Sequence, residues 1–86
     1  MAGFGDRLMA YTDAMRTAVH SLDYHKPKNF GLDIFDNDMF ITLRIDEKMF
    51  FNLLDTDKRK AIEYVMKVKD ALEDNGAVVL VVRKAI

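Results

Sequence analysis

The residues that could do chemistry in this chain are few, and their spacing argues against most of what they might do. His20 and His25 are the two histidines. Five positions apart, they miss the three- or four-residue spacing that would set two metal ligands on one helical face. They read instead as a surface histidine late in a helix, where a cation suits the negative end, and a histidine in a linker. Asp33, Asp36 and Asp38 crowd a short segment like the start of a calcium loop. Such a loop needs oxygen ligands at alternate positions and glycine at the bend. Here Phe40 takes a ligand position and Met39 the bend, so the acidic segment reads as a solvated turn.

None of Asp55, Asp57, Glu63 or Asp70 is flanked in a way that suggests the burial, or the partner, that a catalytic pair needs to separate its pKa values. Ser21 is the sole serine and no glycine elbow surrounds it. The four glycines are scattered, which leaves no phosphate-cradling loop. There is no cysteine, which removes disulfides, thiolate metal sites and thiol nucleophiles. The expectation is a non-enzyme with no catalytic residue, no metal and no cofactor.

Two features point to binding. Basic residues cluster at Lys26 and Lys28, and again at Lys58, Arg59 and Lys60. Converging on one side, they could touch phosphates. Yet Glu63, Asp70 and Glu73 follow at helical pairing distances from lysines, and the second cluster opens a helix, the end that cations disfavour. A nucleic-acid-binding module is therefore the alternative reading. The other feature is Met49-Phe50-Phe51, whose adaptable thioether and aromatic area could anchor a protein partner, although such runs more often enter a core.

The elements that must position these residues follow from hydrophobic period. Met1 to Gly5 reads as a loose lead-in. Leu8, Thr12, Met15, Val19 and Leu22 form one helical stripe, predicting a first helix from Asp6, as its cap, to about Asp23. Residues 24–29 hold Pro27, the only proline, and form a linker. The period then becomes two. Phe30, Leu32 and Ile34 alternate in one strand, and Met39, Ile41, Leu43 and Ile45 in the next, with Asp36-Asn37-Asp38 between them, which predicts a β-hairpin. Within 47–54, Met49, Phe50, Phe51, Leu53 and Leu54 are apolar on every side, so periodicity does not decide between a short helix and a third strand, and a short helical turn is favoured. Asp55 then reads as the cap of a long helix to about Asp74, with Ala61, Val65, Val68 and Leu72 on its buried line and Ile62 and Met66 widening it. Asn75-Gly76 ends that helix. Ala77 to Val82 makes a last strand, apolar on both faces, with Arg83 and Lys84 limiting its aggregation.

The fold class is thus α+β: one domain over residues 1–86 with a three-stranded sheet packed by an N-terminal helix and a long helix. A right-handed crossover makes the second and last strands parallel in direction. Docking the last strand beside the first, with the first strand central, is slightly preferred to docking it beside the second. In either arrangement the long helix covers Leu32, Ile34, Ile41 and Leu43. The opposite face would show Phe35, Phe40, Thr42 and Arg44 with one side of the last strand, taken as Val79 and Val81. That is more apolar surface than a monomer leaves in water, so either the first helix or another molecule covers it.

Half the residues are apolar and the formal net charge is −1, which disfavours a disordered tail and a general nucleic-acid binder. A small domain without disulfides suits a reducing cytoplasmic setting. No apolar stretch approaches the roughly 20 residues of a membrane span, and no leader pattern opens the chain. In general make-up (short, cysteine-free, near-neutral, without a catalytic signature) the chain resembles small accessory proteins of phages and mobile elements. That resemblance implies a regulatory or inhibitory role exerted by binding a host protein. The reading is a non-catalytic protein-interaction module, a homodimer through the Phe40 face, with no membrane partner.

Overall fold

A computed structural model describes residues 11–37 and 39–84. Its elements are α1 (Asp13–His20), a 3-10 turn (Asp23–His25), β1 (Leu32–Asp36), β2 (Ile41–Asp46), α2 (Glu47–Phe51), α3 (Asp55–Asp74) and β3 (Val79–Lys84). The α+β class holds, with a mixed sheet in the order β1-β2-β3. β1 and β2 pair antiparallel, Ile34 opposite Leu43. β2 and β3 pair parallel, Ile41 opposite Val79. The slight preference for a central first strand is therefore corrected: β2 is central. α3 carries the chain from β2 over one face, and the short connection Asn75–Val78 sets β3 down beside the strand it left.

The core forms between that face and the helices. Ile41 and Leu43 of β2, with Val68 and Leu72 of α3, are the largest fully buried side chains. Burying each is worth about 1.5–3 kcal/mol. Ala61 and Val65 complete the buried line of α3, as its spacing predicts. Ile62 and Met66 do not widen it; both are about half exposed, and Tyr64 is buried in their place. Tyr64 lies on the flank where α1 packs, and it meets Phe30 edge-on with ring centroids 6.4 Å apart. Phe30 is a core residue ahead of β1 and no part of the strand.

Local chemistry explains the element ends. The Asp6 cap and the lead-in at Met1 to Gly5 lie outside the described residues. α1 starts later than its stripe suggests because Thr12 is extended (ψ 168°) and its side chain accepts from the Met15 N–H at 3.3 Å. Thr12 thus caps the helix, and only Met15 and Val19 of α1 are buried. The helix ends at His20, and Asn29, at φ 63°, turns the linker toward β1. In the hairpin turn, Asn37 Oδ1 accepts from the N–H groups of Met39 and Phe40 at 2.8 and 2.9 Å. Residues 47–51 are helical, as expected, because Asp46 Oδ1 accepts from Lys48 N–H and Met49 N–H. Asp55 is the first residue of α3 and no cap: Leu54 holds that position with extended backbone and offers no side-chain hydrogen bond. Gly76, at φ 94°, reverses the chain after α3.

The packing has a consequence at alkaline pH. Burial raises the Tyr64 pKa above its ordinary 10.0, and the Asp23 and Tyr11 charges raise it further. Burial also raises Tyr11, with Arg16 opposing, and Asp36 and Asp23 adding to it. The folded state therefore keeps phenolic protons that the unfolded chain has begun to lose. Their contribution to stability is complete below pH 10 and lost as pH rises through and beyond it. Chemical denaturation between pH 8 and 11 should show that decline, and Tyr64→Phe, which keeps the ring against Phe30, should flatten it. Parallel profiles for the two proteins would remove Tyr64 as a cause.

Candidate functional site

The sheet presents its second face away from the helices. Cross-strand partners share a face, so Asp33 and Phe35 of β1 lie beside Arg44 and Thr42 of β2. Across β2, Thr42 and Arg44 lie beside Leu80 and Val82. Phe40 and Val78, each one residue ahead of its strand, continue the alternation on the same side. α1 does not fold over this face; it packs on α3 and adds Met15 and Val19 to the core on the other side. Among the described residues, no element crosses the Phe35–Arg44–Leu80 face.

Val79 and Val81 are therefore misassigned by the sequence reading. They pair with Ile41 and Leu43 and point to the helix side, where Val79 is buried. Leu80 and Val82 take their places, 46% and 40% exposed, with Phe35 at 48% and Val78 at 61%. The strand is apolar at every position from 77 to 82, so no polar residue marks its phase. Only pairing with β2 decides it.

Arg44 organises the middle of the face. Its Nη2 lies 3.0 Å from Asp33 Oδ2 and its Nε 3.3 Å from the same oxygen. The guanidinium carbon stands 4.6 Å from the centroid of the Phe35 ring. A pair this exposed is worth at most about 1 kcal/mol to the fold. What it does is hold the planar cation of the central strand against the Phe35 ring, beside Val82 and diagonal to Leu80. Asp33 gave no sequence signal as the partner; it becomes one through the hairpin register.

The other candidates are dispersed. Phe50 turns partly into the core, Phe51 is 64% exposed, and Met49 borders an open depression of about 520 Å³ with Lys28, Asn52, Leu54 and Asp57. Met49-Phe50-Phe51 thus divides between core and surface and makes no single anchor. The linker runs past the start of α3, which brings Lys28 near that start and Lys60 near the linker, while Lys58, Arg59 and Lys60 point to different sides of the helix. Lys28 and Asp57 share the depression, Lys60 lies with His25 and Glu63, and Lys58 reaches Asp55 at 3.7 Å. Carboxylates are interleaved with the cations there. Arg59 and Lys26 are exposed. His20 contacts Asp23 at 3.3 Å, and His25 stacks on Tyr24 at 4.0 Å. No three potential metal ligands gather among the described residues, and no helix there is long and apolar enough to cross a membrane. Asp33 and Asp36 sit on β1, while Asp38 lies outside the described residues.

Comparison with protein families, curated proteins and solved structures found no match.

The interleaved charges set an expectation for nucleic acid. Single- and double-stranded DNA and RNA should give no mobility shift at low salt. A shift that weakens steeply with salt, and whose slope falls when Lys58, Arg59 and Lys60 become Ala, would establish a phosphate-binding surface instead.

Proposed function

We propose that the protein is a small, non-catalytic interaction module of the cytoplasm that binds a protein partner through the open sheet face. The supporting observation is the exposed cluster of Phe35, Leu80 and Val82 around Arg44, on a rigid central strand. Aromatic and arginine side chains inside an apolar surround are the composition that dominates binding energy at protein interfaces. Arg44, already aligned by Asp33 and Phe35, loses little conformational freedom when a partner covers it.

The composition of the face favours a partner other than a second copy. A two-fold pairing of this face would bring Arg44, near its middle, close to its own symmetry mate, and like charges buried together oppose association. A partner with a carboxylate framed by apolar side chains meets the same face without that cost. In this reading the accessory or regulatory role is exerted by occupancy, with no reaction performed on the partner.

A photo-crosslinking amino acid placed at Phe40 or Leu80 in the native host should capture one predominant protein. Capture should disappear when Phe35→Asp is added and circular dichroism shows the fold intact. A crosslinker at the exposed Lys48 serves as control. Equal capture from Lys48 and Leu80, or capture that survives Phe35→Asp, would contradict a binding role for this face.

A further inference from the structure

Beyond the open face, β3 is a sheet edge whose backbone and flanks are suited to a strand. Ile41 N–H donates to Val78 C=O at 2.9 Å. With the parallel register this places the Leu80, Val82 and Lys84 backbone groups toward β2. The N–H and C=O groups of Val79, Val81 and Arg83 then point outward, and no described strand pairs with them. Natural sheets usually blunt such an edge with inward charge, proline, a bulge or a covering element. Along Val79 to Val82 none of these is present among the described residues.

The flank above this edge is apolar as well. Ile62 of α3 borders a small hollow of about 210 Å³ with Ile45, Phe50 and Arg83, so it sits over the end of β3. One helical turn further, α3 has risen about 6 Å, the length of roughly two strand residues, which brings Met66 level with Val81. Ile62, Met66 and Val81 are 53%, 52% and 41% exposed on this side. With Leu80 and Val82 beneath, the edge is apolar above, along and below.

We propose that β3 pairs antiparallel with β3 of a second copy, making a continuous six-stranded sheet about a two-fold axis at Val81. Symmetry fixes much of the geometry. The axis stands perpendicular to the sheet, so both copies keep their helices on one side, and residues facing that side must oppose each other. Val81 opposite Val81, with Val79 opposite Arg83 and Leu80 opposite Val82, pairs the strand over most of its length. It also keeps the two Arg83 residues four strand positions apart, about 14 Å. A shift that set Val82 on the axis would halve that separation.

Charge along α3 agrees with this register. With strands about 4.8 Å apart, the two α3 helices run antiparallel at roughly 10–14 Å, within reach of long side chains. Met66 faces Met66 over the axis. Arg59 comes opposite Glu73, and Lys69 opposite Glu63, so the basic start of each helix lies along the acidic end of the other. Arg83 is meanwhile paired with Glu47 in its own copy, which lowers repulsion at the strand ends. The occupant is thus a second copy of this chain, whose edge, apolar flank and charge order complement themselves. A single edge pairing with its flanking helix contact is a small interface, of the kind found in weak, exchanging assemblies.

Sedimentation velocity should show wild-type monomer and dimer exchanging across about 1–100 µM. Val81→Pro removes only an outward N–H, and Val81→Lys places a charge on the axis; each should give monomers with an unchanged dichroism spectrum, the lysine variant deciding if the proline variant does not fold. Phe40→Asp, on the open face, should still dimerise. Because the chain has no cysteine, Val81→Cys tests the register directly. Opposed residues of this kind have Cα atoms about 5.5 Å apart, within disulfide range, so oxidation should link the two copies, whereas Phe40→Cys should not link. A wild type monomeric at 100 µM, a dimer unaffected by either Val81 substitution, or crosslinking through Phe40→Cys and not Val81→Cys would each overturn the proposal.

Discussion

The rest of the structure depends on the contact between the central strand and one line of the long helix. Ile41 and Leu43 on β2 pack with Ala61, Val65, Val68 and Leu72 on α3, all at or near full burial. This one contact sets the side of the sheet that becomes interior, and it closes the parallel crossover that makes β2 central. It also leaves α1 a single site, on the Tyr64 flank of α3. Among the described residues there is no second helix of comparable length to cover the other face. The order of these elements leaves the sheet covered on one side by them.

Elements with a sharp period were legible in the sequence. Alternation in Leu32 to Ile34 and Ile41 to Ile45 gave the hairpin, and the spacing of Ala61, Val65, Val68 and Leu72 gave the buried line of α3. Asn75-Gly76 marked its end, and the crowded segment after Asp46 was helical as expected. What could not be read was decided by partners distant in sequence. Strand order depends on where β3 docks, and nothing local in Ala77 to Val82 states it. The phase of the same strand was lost because every position from 77 to 82 is apolar. Ile62 and Met66 fit the helical period as well as Tyr64 does, but the side on which α1 packs selects Tyr64. Thr12 lies on the hydrophobic stripe by spacing, yet its hydroxyl is more useful to the backbone as a cap.

The phase and position of β3 also bear on function. Moving β3 by one residue exchanges Val79 and Val81 for Leu80 and Val82 on the open face, which changes its apolar membership while leaving Phe35 and Arg44 in place. The Asp33–Arg44–Phe35 arrangement needed the hairpin register before its residues could be seen as a unit. Once β2 is central, β3 becomes an edge, and the apolar strand that looked like an aggregation hazard acquires a specific geometry. Face and edge are perpendicular surfaces of one sheet, so pairing through the edge would extend the face without covering it.

The central claim is that the described elements cover the sheet on one side only, and solvent relaxation of methyl groups tests it most directly. With a soluble paramagnetic agent, the methyls of Leu80 and Val82 should relax strongly, while those of Ile41, Leu43 and Val79 stay protected. Equal protection of the Leu80 and Val79 methyls in dilute solution would contradict the account, because it would mean that the chain covers both faces of its own sheet.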